Sequence, residues 1–392
     1  MIKIYKKIFL VAEATVLACF DFFSIFNFGF DRHARQVRLI VRVDGIGDFI
    51  LWLPSAKKLN AAYFENKKPI LICEQSCSEL ALATGLFSEV IGIDLGLYAR
   101  DLRYRFRTLR FVANLGASVV IQPTYSRAFL TGDSLVRASG AKSRIGFDGD
   151  LSNIRPWQKW ISDRWYTKLV PASALPMMEL DRNAEFLRNL GVGDGHADLP
   201  VLPKLVELHA GKKISDDYFV IFPGASSPIK QWPLESFAIV ARQIVDKYGF
   251  APIICGGEME QELGGRLLRL ISDGRGINYA GKTSLLELAE MFRGASLIVS
   301  NDTSAIHIAS AVSTPSVCIL GGGHFGRFMP YPEDLEGIKP IAVINKMNCF
   351  GCNWRCQFTD NRGGPYPCVE GISIKQVMSA VNLAMKQKVV MQ

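Results

Sequence analysis

The N-terminal stretch lacks an uncharged apolar run of membrane-spanning length. Glu13 and Asp21 interrupt the segment from Ile8 to Phe30, and its longest uncharged piece, Phe22 to Phe30, has nine residues. A spanning helix needs about 20 largely apolar residues. A small-residue cleavage site is missing too, since Asp31, Arg32, His33 and Arg35 follow directly. These absences argue against a span and against a secretory leader. Two readings remain for Lys3, Lys6, Lys7 and the phenylalanines behind them. One is an interfacial helix on the inner leaflet, and the other is a helix packed on the protein's own surface. Evenly spread cysteines are also lacking. Of nine, Cys349, Cys352, Cys356 and Cys368 crowd one segment, while Cys19, Cys73, Cys77, Cys255 and Cys318 lie in apolar or helical contexts. That excludes a small stapled scaffold and points to a reducing compartment, so a cytoplasmic enzyme is expected.

What is present suits a packed enzyme. The chain has 392 residues, 49% hydrophobic and 21% charged, enough for two cores and far from a disordered composition. A formal charge of +8 suggests an anionic partner, with nucleic acid, a membrane surface and a phosphorylated glycolipid all open.

From Arg38 onward, strand and helix patterns alternate. Leu39 to Val43 reads as a buried strand, Asp44-Gly45-Ile46-Gly47 as a turn, and Asp48 onward as a helix. Strands follow at Pro69 to Cys73, Val90 to Ile93 and Ser118 to Gln122. The segment from Leu190 to Lys213, rich in glycine and proline, reads as a linker. A second alternation begins with the strand Tyr218 to Phe222 and the helix Leu234 to Tyr248, then the strand Ala251 to Cys255 and a helix from Glu258. Helices Ser284 to Phe292 and Thr303 to Val312, with strands Ser296 to Ser300 and Pro315 to Leu320, complete it. The expected fold class is α/β, with two doubly wound, Rossmann-like domains facing a cleft. The divisions are 1–35 for the N-terminal segment, 36–205 for an acceptor-side domain and 206–392 for a donor-binding domain. The last helix, Ser373 to Lys386, is expected to brace the first domain.

Three motifs carry chemistry. In Arg42-Val43-Asp44-Gly45-Ile46-Gly47-Asp48, Gly45 and Gly47 allow a tight turn and close approach of a ligand. The third glycine of a dinucleotide fingerprint is lacking, because Ile50 stands in its place. Asp48 reads either as a helix cap or as a general base. In Phe222 to Pro233, Ser226 and Ser227 precede Lys230, then Trp232-Pro233 opens a helix. Small residues with free amides and one lysine suit a diphosphate. In Val299 to His307, a strand runs into a helix whose first turn holds Asp302, Thr303 and Ser304, again favouring an anion. Asp302 reads alternatively as the cap, and His307 as a core histidine.

Together the three motifs resemble glycosyltransferase family 9, the ADP-heptose:lipopolysaccharide heptosyltransferases, over roughly Arg38 to Val381. The resemblance implies a GT-B fold and inverting, metal-independent transfer from ADP-heptose to a lipopolysaccharide core acceptor at the inner face of the inner membrane. It implies that Asp48 is the base and that Lys230 steadies the diphosphate. Ser226 is then a phosphate-contacting hydroxyl, Glu260 the ribose ligand, and Asp302, Thr303 and His307 the donor-binding helix start. The family often has glycine where this chain has Ser304. No cofactor is implied for catalysis, and no nucleic acid as partner.

Two features stand outside that pattern. Cys349, Cys352, Cys356 and Cys368 read either as a structural thiolate site for zinc or iron, or as reduced cysteines packing a loop. Arg100, Arg103, Arg105, Arg107 and Arg110 crowd one helix and read as a solvated face, or as a binder of acceptor phosphates or an anionic leaflet. The competing functions are a nucleotide-sugar epimerase of the same fold, a nicotinamide oxidoreductase and a non-catalytic interaction module. The second is opposed by Ile50 and by the expected lack of an acidic residue ending the second strand. The third would leave the Lys230 and Asp302 motifs unexplained.

Overall fold

The structure is a computed structural model that describes residues 17–21, 37–65, 67–193, 195–204, 214, 217–272, 274–358 and 363–390. The chain divides into two compact units. One comprises Met1–Phe49, Ser55–Leu175 and Arg182–His196; the other comprises Ile50–Pro54, Pro176–Asp181 and Ala197–Gln392.

In the first unit, residues 17–21 form a helical piece, α1. After it come β1 (Val37–Arg42), α2 (Ile46–Ala62), β2 (Ile70–Glu74), α3 (Ser78–Ala83), β3 (Glu89–Ile93), α4 (Leu95–Arg100), α5 (Leu102–Asn114) and β4 (Ala117–Gln122). The remaining elements are a π-helical turn (Phe129–Asp133), α6 (Ser134–Ala138), β5 (Ser143–Phe147), α7 (Pro156–Ser162), β6 (Lys168–Val170) and α8 (Glu179–Leu190). Six parallel strands are ordered β3-β2-β1-β4-β5-β6. Leu39, Val41, Ile72 and Val120 are fully buried in one cluster with Leu109 of α5, which is why these strands read as continuous apolar runs.

The second unit contains β7 (Tyr218–Phe222), α9 (Leu234–Tyr248), β8 (Ala251–Ile254), α10 (Gln261–Ile271), β9 (Ile277–Asn278), α11 (Leu285–Gly294), β10 (Leu297–Asn301), α12 (Ser304–Ala311), β11 (Ser316–Ile319), β12 (Ile341–Val343), α13 (Pro367–Glu370) and α14 (Ile374–Val390). Its sheet is ordered β12-β11-β10-β7-β8-β9, all parallel. Counted from its first strand, this is the same winding as the first sheet. Each therefore has a topological switch point, between β1 and β4 and between β7 and β10, where ligands of open α/β sheets bind.

Local chemistry sets the element ends. α9 follows Pro233 and stops at Gly249, whose φ of 73° is the left-handed conformation that ends helices. α14 packs on β11, β12 and α9 of its own unit. One correction concerns β2, which ends in Glu74, so an acidic residue does end the second strand. Its carboxylate caps the following 3-10 turn by accepting from the Ser76 N–H at 2.8 Å.

The sequence reading of the arginine stripe also changes. Arg105 turns inward, where its guanidinium donates to both oxygens of buried Asp21 and to the carbonyls of Tyr98 and Leu130. Phe20 meets Phe106 edge to face, with centroids 6.5 Å apart. Residues 17–21 thus lie against α5, and the rest of the segment 1–30 lies outside the described residues, save for these five. Among the described residues, no helix is long and apolar enough to cross a membrane.

Candidate functional site

At the exit of β1, buried Arg42 organises the turn. Its Nε is 2.7 Å from Asp44 Oδ2, Nη1 donates to Asn183 Oδ1 at 3.1 Å, and Nη2 donates to the Asp48 carbonyl at 3.3 Å. Asp44 also accepts from Thr124 Oγ1 at 3.0 Å, which ties the turn to the exit of β4. Asp48 lies in the first turn of α2, whose cap position is Gly45, so the helix begins earlier than expected and Asp48 is not its cap. Gly45 has φ −69° and ψ 169°, extended backbone that any residue adopts. A Cβ there would meet only Asp48 Oδ2, at 3.9 Å. The tight-turn argument for glycine therefore fails at this position, while Gly47 sits within the helix's first turn.

A buried polar cluster supports the loop after β4. Arg127 faces Asp133 and Asp163, and its guanidinium lies 4.8 Å from the Tyr166 ring centre. The Tyr166 hydroxyl donates to Asp133 Oδ1 at 2.7 Å. Burial pushes the Asp133 carboxyl up, opposed by the Arg127 charge. Sequence patterning did not single out these residues, because each partner is remote in the chain.

At the second switch point, the loop after β7 is clamped by Asn301, the last residue of β10. Its Nδ2 donates to the carbonyls of Pro223 at 2.7 Å and Gly224 at 3.3 Å, and its Oδ1 accepts from the Trp232 N–H at 3.0 Å. Trp232 is buried and donates from Nε1 to the Ile372 carbonyl at 3.0 Å, so the tryptophan of the Lys-x-Trp-Pro element is a packing anchor. That anchoring leaves Ser226 exposed, with Ser227 and Lys230 half-buried, on a 3-10 turn, Pro228–Lys230.

The neighbouring strand exits contribute the rest. After β8, Glu260 turns back so that its Oε2 accepts from the Gly257 N–H. A Cβ on Gly224 would lie 2.1 Å from Glu260 Oε1, so only glycine admits the carboxylate beside the phosphate loop. After β10, Asp302 donates its N–H to the Ile319 carbonyl at 3.1 Å. The cap of α12 is Thr303, whose Oγ1 accepts from the Ala305 N–H at 3.3 Å, rather than Asp302. Burial pushes the Asp302 carboxyl up to about 6, with the Lys230 charge pulling it down. Ser304 opens the helix, and His307 is buried one turn in, with Nδ1 2.9 Å from the Tyr331 hydroxyl. Burial takes the His307 imidazole down to about 4.

The cysteine-rich segment adds residues that the sequence reading missed. The indole of Trp354 lies 4.7 Å from Lys230 Nζ, and its ring atoms would be 2.6 and 2.3 Å from Cβ atoms on Gly321 and Gly323. Phe350 would likewise crowd a side chain on Gly322. The Gly321-Gly322-Gly323 run after β11 is thus the bed on which these aromatics lie, and it was the available signal. His324 Nε2 is 2.7 Å from Asn353 Oδ1. Cys368 is buried and accepts from the Gly322 N–H at 3.4 Å, while Cys349, Cys352 and Cys356 are partly exposed. Burial raises the Cys368 thiol, opposed by the Gly322 N–H, and the nearby Cys349, Cys356 and Cys352 raise it further. Although these thiols share a region, no group of three or more His, Cys, Asp or Glu among the described residues is placed to hold a metal ion. As placed, they do not fit the zinc or iron alternative.

Comparison with known proteins agrees with this geometry. The sequence profile of Glycosyltransferase family 9 (heptosyltransferase) matches residues 133–353. Lipopolysaccharide heptosyltransferase 2 of Salmonella typhimurium is 29% identical over 330 residues, covering 79% of this chain and 89% of that protein. The Escherichia coli protein of the same name is 23% identical over the same length and shares. Among solved structures, a family 9 glycosyltransferase from Veillonella parvula superposes with a TM-score of 0.68 at 17% identity, covering 90% of this chain and 98% of that one. The E. coli ADP-heptose lps heptosyltransferase II gives 0.64 at 17%, covering 90% and 99%. An iron-containing dodecameric glycosyltransferase from E. coli, TibC, gives 0.52 at 16%, covering 90% and 76%. With its fold, its motif loops at the switch points and its profile match all in accord, the chain belongs to glycosyltransferase family 9, the heptosyltransferases.

Proposed function

We propose that this glycosyltransferase moves a heptose from ADP-heptose onto a lipopolysaccharide core acceptor, working at the inner face of the membrane. The observation that carries the reading is the convergence of Lys230, Glu260 and Asp302 at the exits of β7, β8 and β10, around one switch point. Lys230, the hydroxyls of Ser226 and Ser227 and the amides from Asp302 to Ser304 suit the diphosphate, and Glu260 suits the ribose hydroxyls. One protein of similar fold, the E. coli heptosyltransferase WaaC, has structures with ADP and with ADP-2-deoxy-2-fluoro heptose.

In this mechanism Asp48 takes the proton of the attacking acceptor hydroxyl. That oxygen bonds to the anomeric carbon as the bond to the diphosphate oxygen breaks, and the electron pair leaves on ADP, inverting the anomeric centre. Lys230 and the α12 amides offset the charge growing on the leaving group. His307, tied to Tyr331, holds the helix start in place.

The test incubates the protein with ADP-heptose and other nucleotide sugars, with and without core oligosaccharide, and follows product by mass spectrometry. Glycosylated acceptor of inverted configuration is expected. Asp48→Asn should abolish transfer with ADP affinity nearly unchanged. Isomerised donor without acceptor would make the protein an epimerase instead.

A further inference from the structure

We propose that the outward face of α5 is a docking surface for an anionic lipid bilayer. This deepens the membrane-face reading above and is independent of which sugar is moved. The helix Leu102–Asn114 contains no acidic residue. Of its four arginines, Arg105 is consumed internally by Asp21, but Arg103, Arg107 and Arg110 are exposed along one face. Spaced at i, i+4 and i+7, they form a ridge about 10 Å long. Arg100, at the end of α4, extends it and is also exposed. None of the four has an ion-pair or hydrogen-bond partner for its side chain among the described residues. The nearby carboxylates of Asp101 and Asp94 are occupied as caps, accepting from the Arg103, Tyr104 and Leu97 N–H groups at 2.8, 3.1 and 2.8 Å.

Exposed apolar side chains stand among these cations. Phe111 is 45% exposed on the flank of the ridge, and Leu102 and Leu97 are 43% and 47% exposed at its start. Cations beside apolar side chains on a convex helix face match the headgroup boundary, where charge meets phosphate and the apolar groups enter the acyl layer. Nucleic acid would be served by a groove with free aromatic faces for stacking. Here the Tyr104 hydroxyl accepts the Asp94 N–H, and Phe106 faces Phe20, so the aromatics are engaged. The interior grip of Arg105 on Asp21, Tyr98 and Leu130 keeps the helix from rolling and holds the ridge outward.

Co-sedimentation of the full chain with vesicles tests this. Binding is expected to vesicles with about a third phosphatidylglycerol in phosphatidylcholine, to be weak to phosphatidylcholine alone, and to fall with salt. Substituting Arg103→Gln, Arg107→Gln and Arg110→Gln should lower partitioning about fivefold each, on the order of a hundredfold together. A control away from the ridge, Arg266→Gln with Arg269→Gln on α10, should bind as wild type. Phe111→Ser should remove the part of binding that survives high salt. These side chains are exposed, and an unchanged circular dichroism spectrum confirms folding. Wild-type comparison of the two vesicle types stands even if a variant misfolds. Equal binding to both vesicle types, or a triple variant that binds like wild type, overturns the proposal. So does a triple variant that keeps vesicle binding but loses a single-stranded RNA oligonucleotide. Failure here would leave transfer to soluble acceptor unaffected, so the two readings fail separately.

Discussion

At the scale of single residues, environment assigns each charged group a task that its type alone leaves open. Lys230 is held by its 3-10 turn and faces the Trp354 ring, so it contributes charge rather than packing. Lys230→Ala should keep the fold and lower turnover by about 10²–10³, with weaker ADP binding by calorimetry. Unchanged rate and ADP affinity would mean that the phosphate loop has been misplaced. Asp302 titrates in the opposite sense from an ion-paired carboxylate. Its pKa of about 6 lies above the ordinary 3.8, so between those values the folded state binds more protons than the unfolded one. Its contribution to stability is therefore present below pH 3.8 and is lost as pH rises through about 6. Asp302→Asn should gain stability relative to wild type across that window, by roughly 3 kcal/mol at most. Urea unfolding of both proteins at several pH values measures it, and a flat difference would contradict the burial argument. His307 runs the other way, since its lowered pKa removes stability as pH falls from 6.5 toward about 4.

At the scale of elements, the arginine helix shows how one buried pair can reassign a whole stripe. Asp21 and Arg105 are both buried and 84 residues apart, so each is the other's compensation. Removing one partner of such a pair leaves an uncompensated charge and costs about 3–5 kcal/mol. Asp21→Ala should destabilise the first unit by that order, and Asp21→Leu with Arg105→Met should recover most of it. If Asp21→Ala unfolds at the wild-type denaturant concentration, α1 is not part of the packed unit. The same pair bears on removal of residues 1–30, which takes Asp21 with it and leaves Arg105 unpaired. The helix α8 escaped notice for a related reason. Its buried positions include Arg182, Asn183 and Glu185, which hide the apolar period from a pattern search. Of the missed strands β5, β6, β9 and β12, the last three have only two or three residues each, too short to establish a period.

At the scale of the whole molecule, two sheets of identical winding each present a switch point. The second gathers lysine, glutamate and helix amides, groups that can neutralise a diphosphate without an ion. Transfer should therefore persist in the presence of a chelator, assayed as acceptor glycosylation. Loss of activity with rescue by magnesium would overturn that chemistry. Loss with melting of the fold would instead identify the cysteine-rich segment as metal-bound, against the placement of its thiols here.

Alternation of buried strands with amphipathic helices is a local property, so the sequence alone determined two α/β halves and set β7 and α9 at their observed bounds. It also determined which short motifs follow which strands, because a turn's composition records its own backbone and little else. Partners distant in the chain were decided only by tertiary structure. Among them are Asn301 on the Pro223 and Gly224 carbonyls, Asp21 on Arg105, and Trp354 over Lys230. Each involves a polar or aromatic side chain satisfied by a group 69 to 140 positions away, like Trp232 on Asn301 and on Ile372. Periodicity carries no signal for such pairs, because it reports which face of an element is buried and not what meets it there.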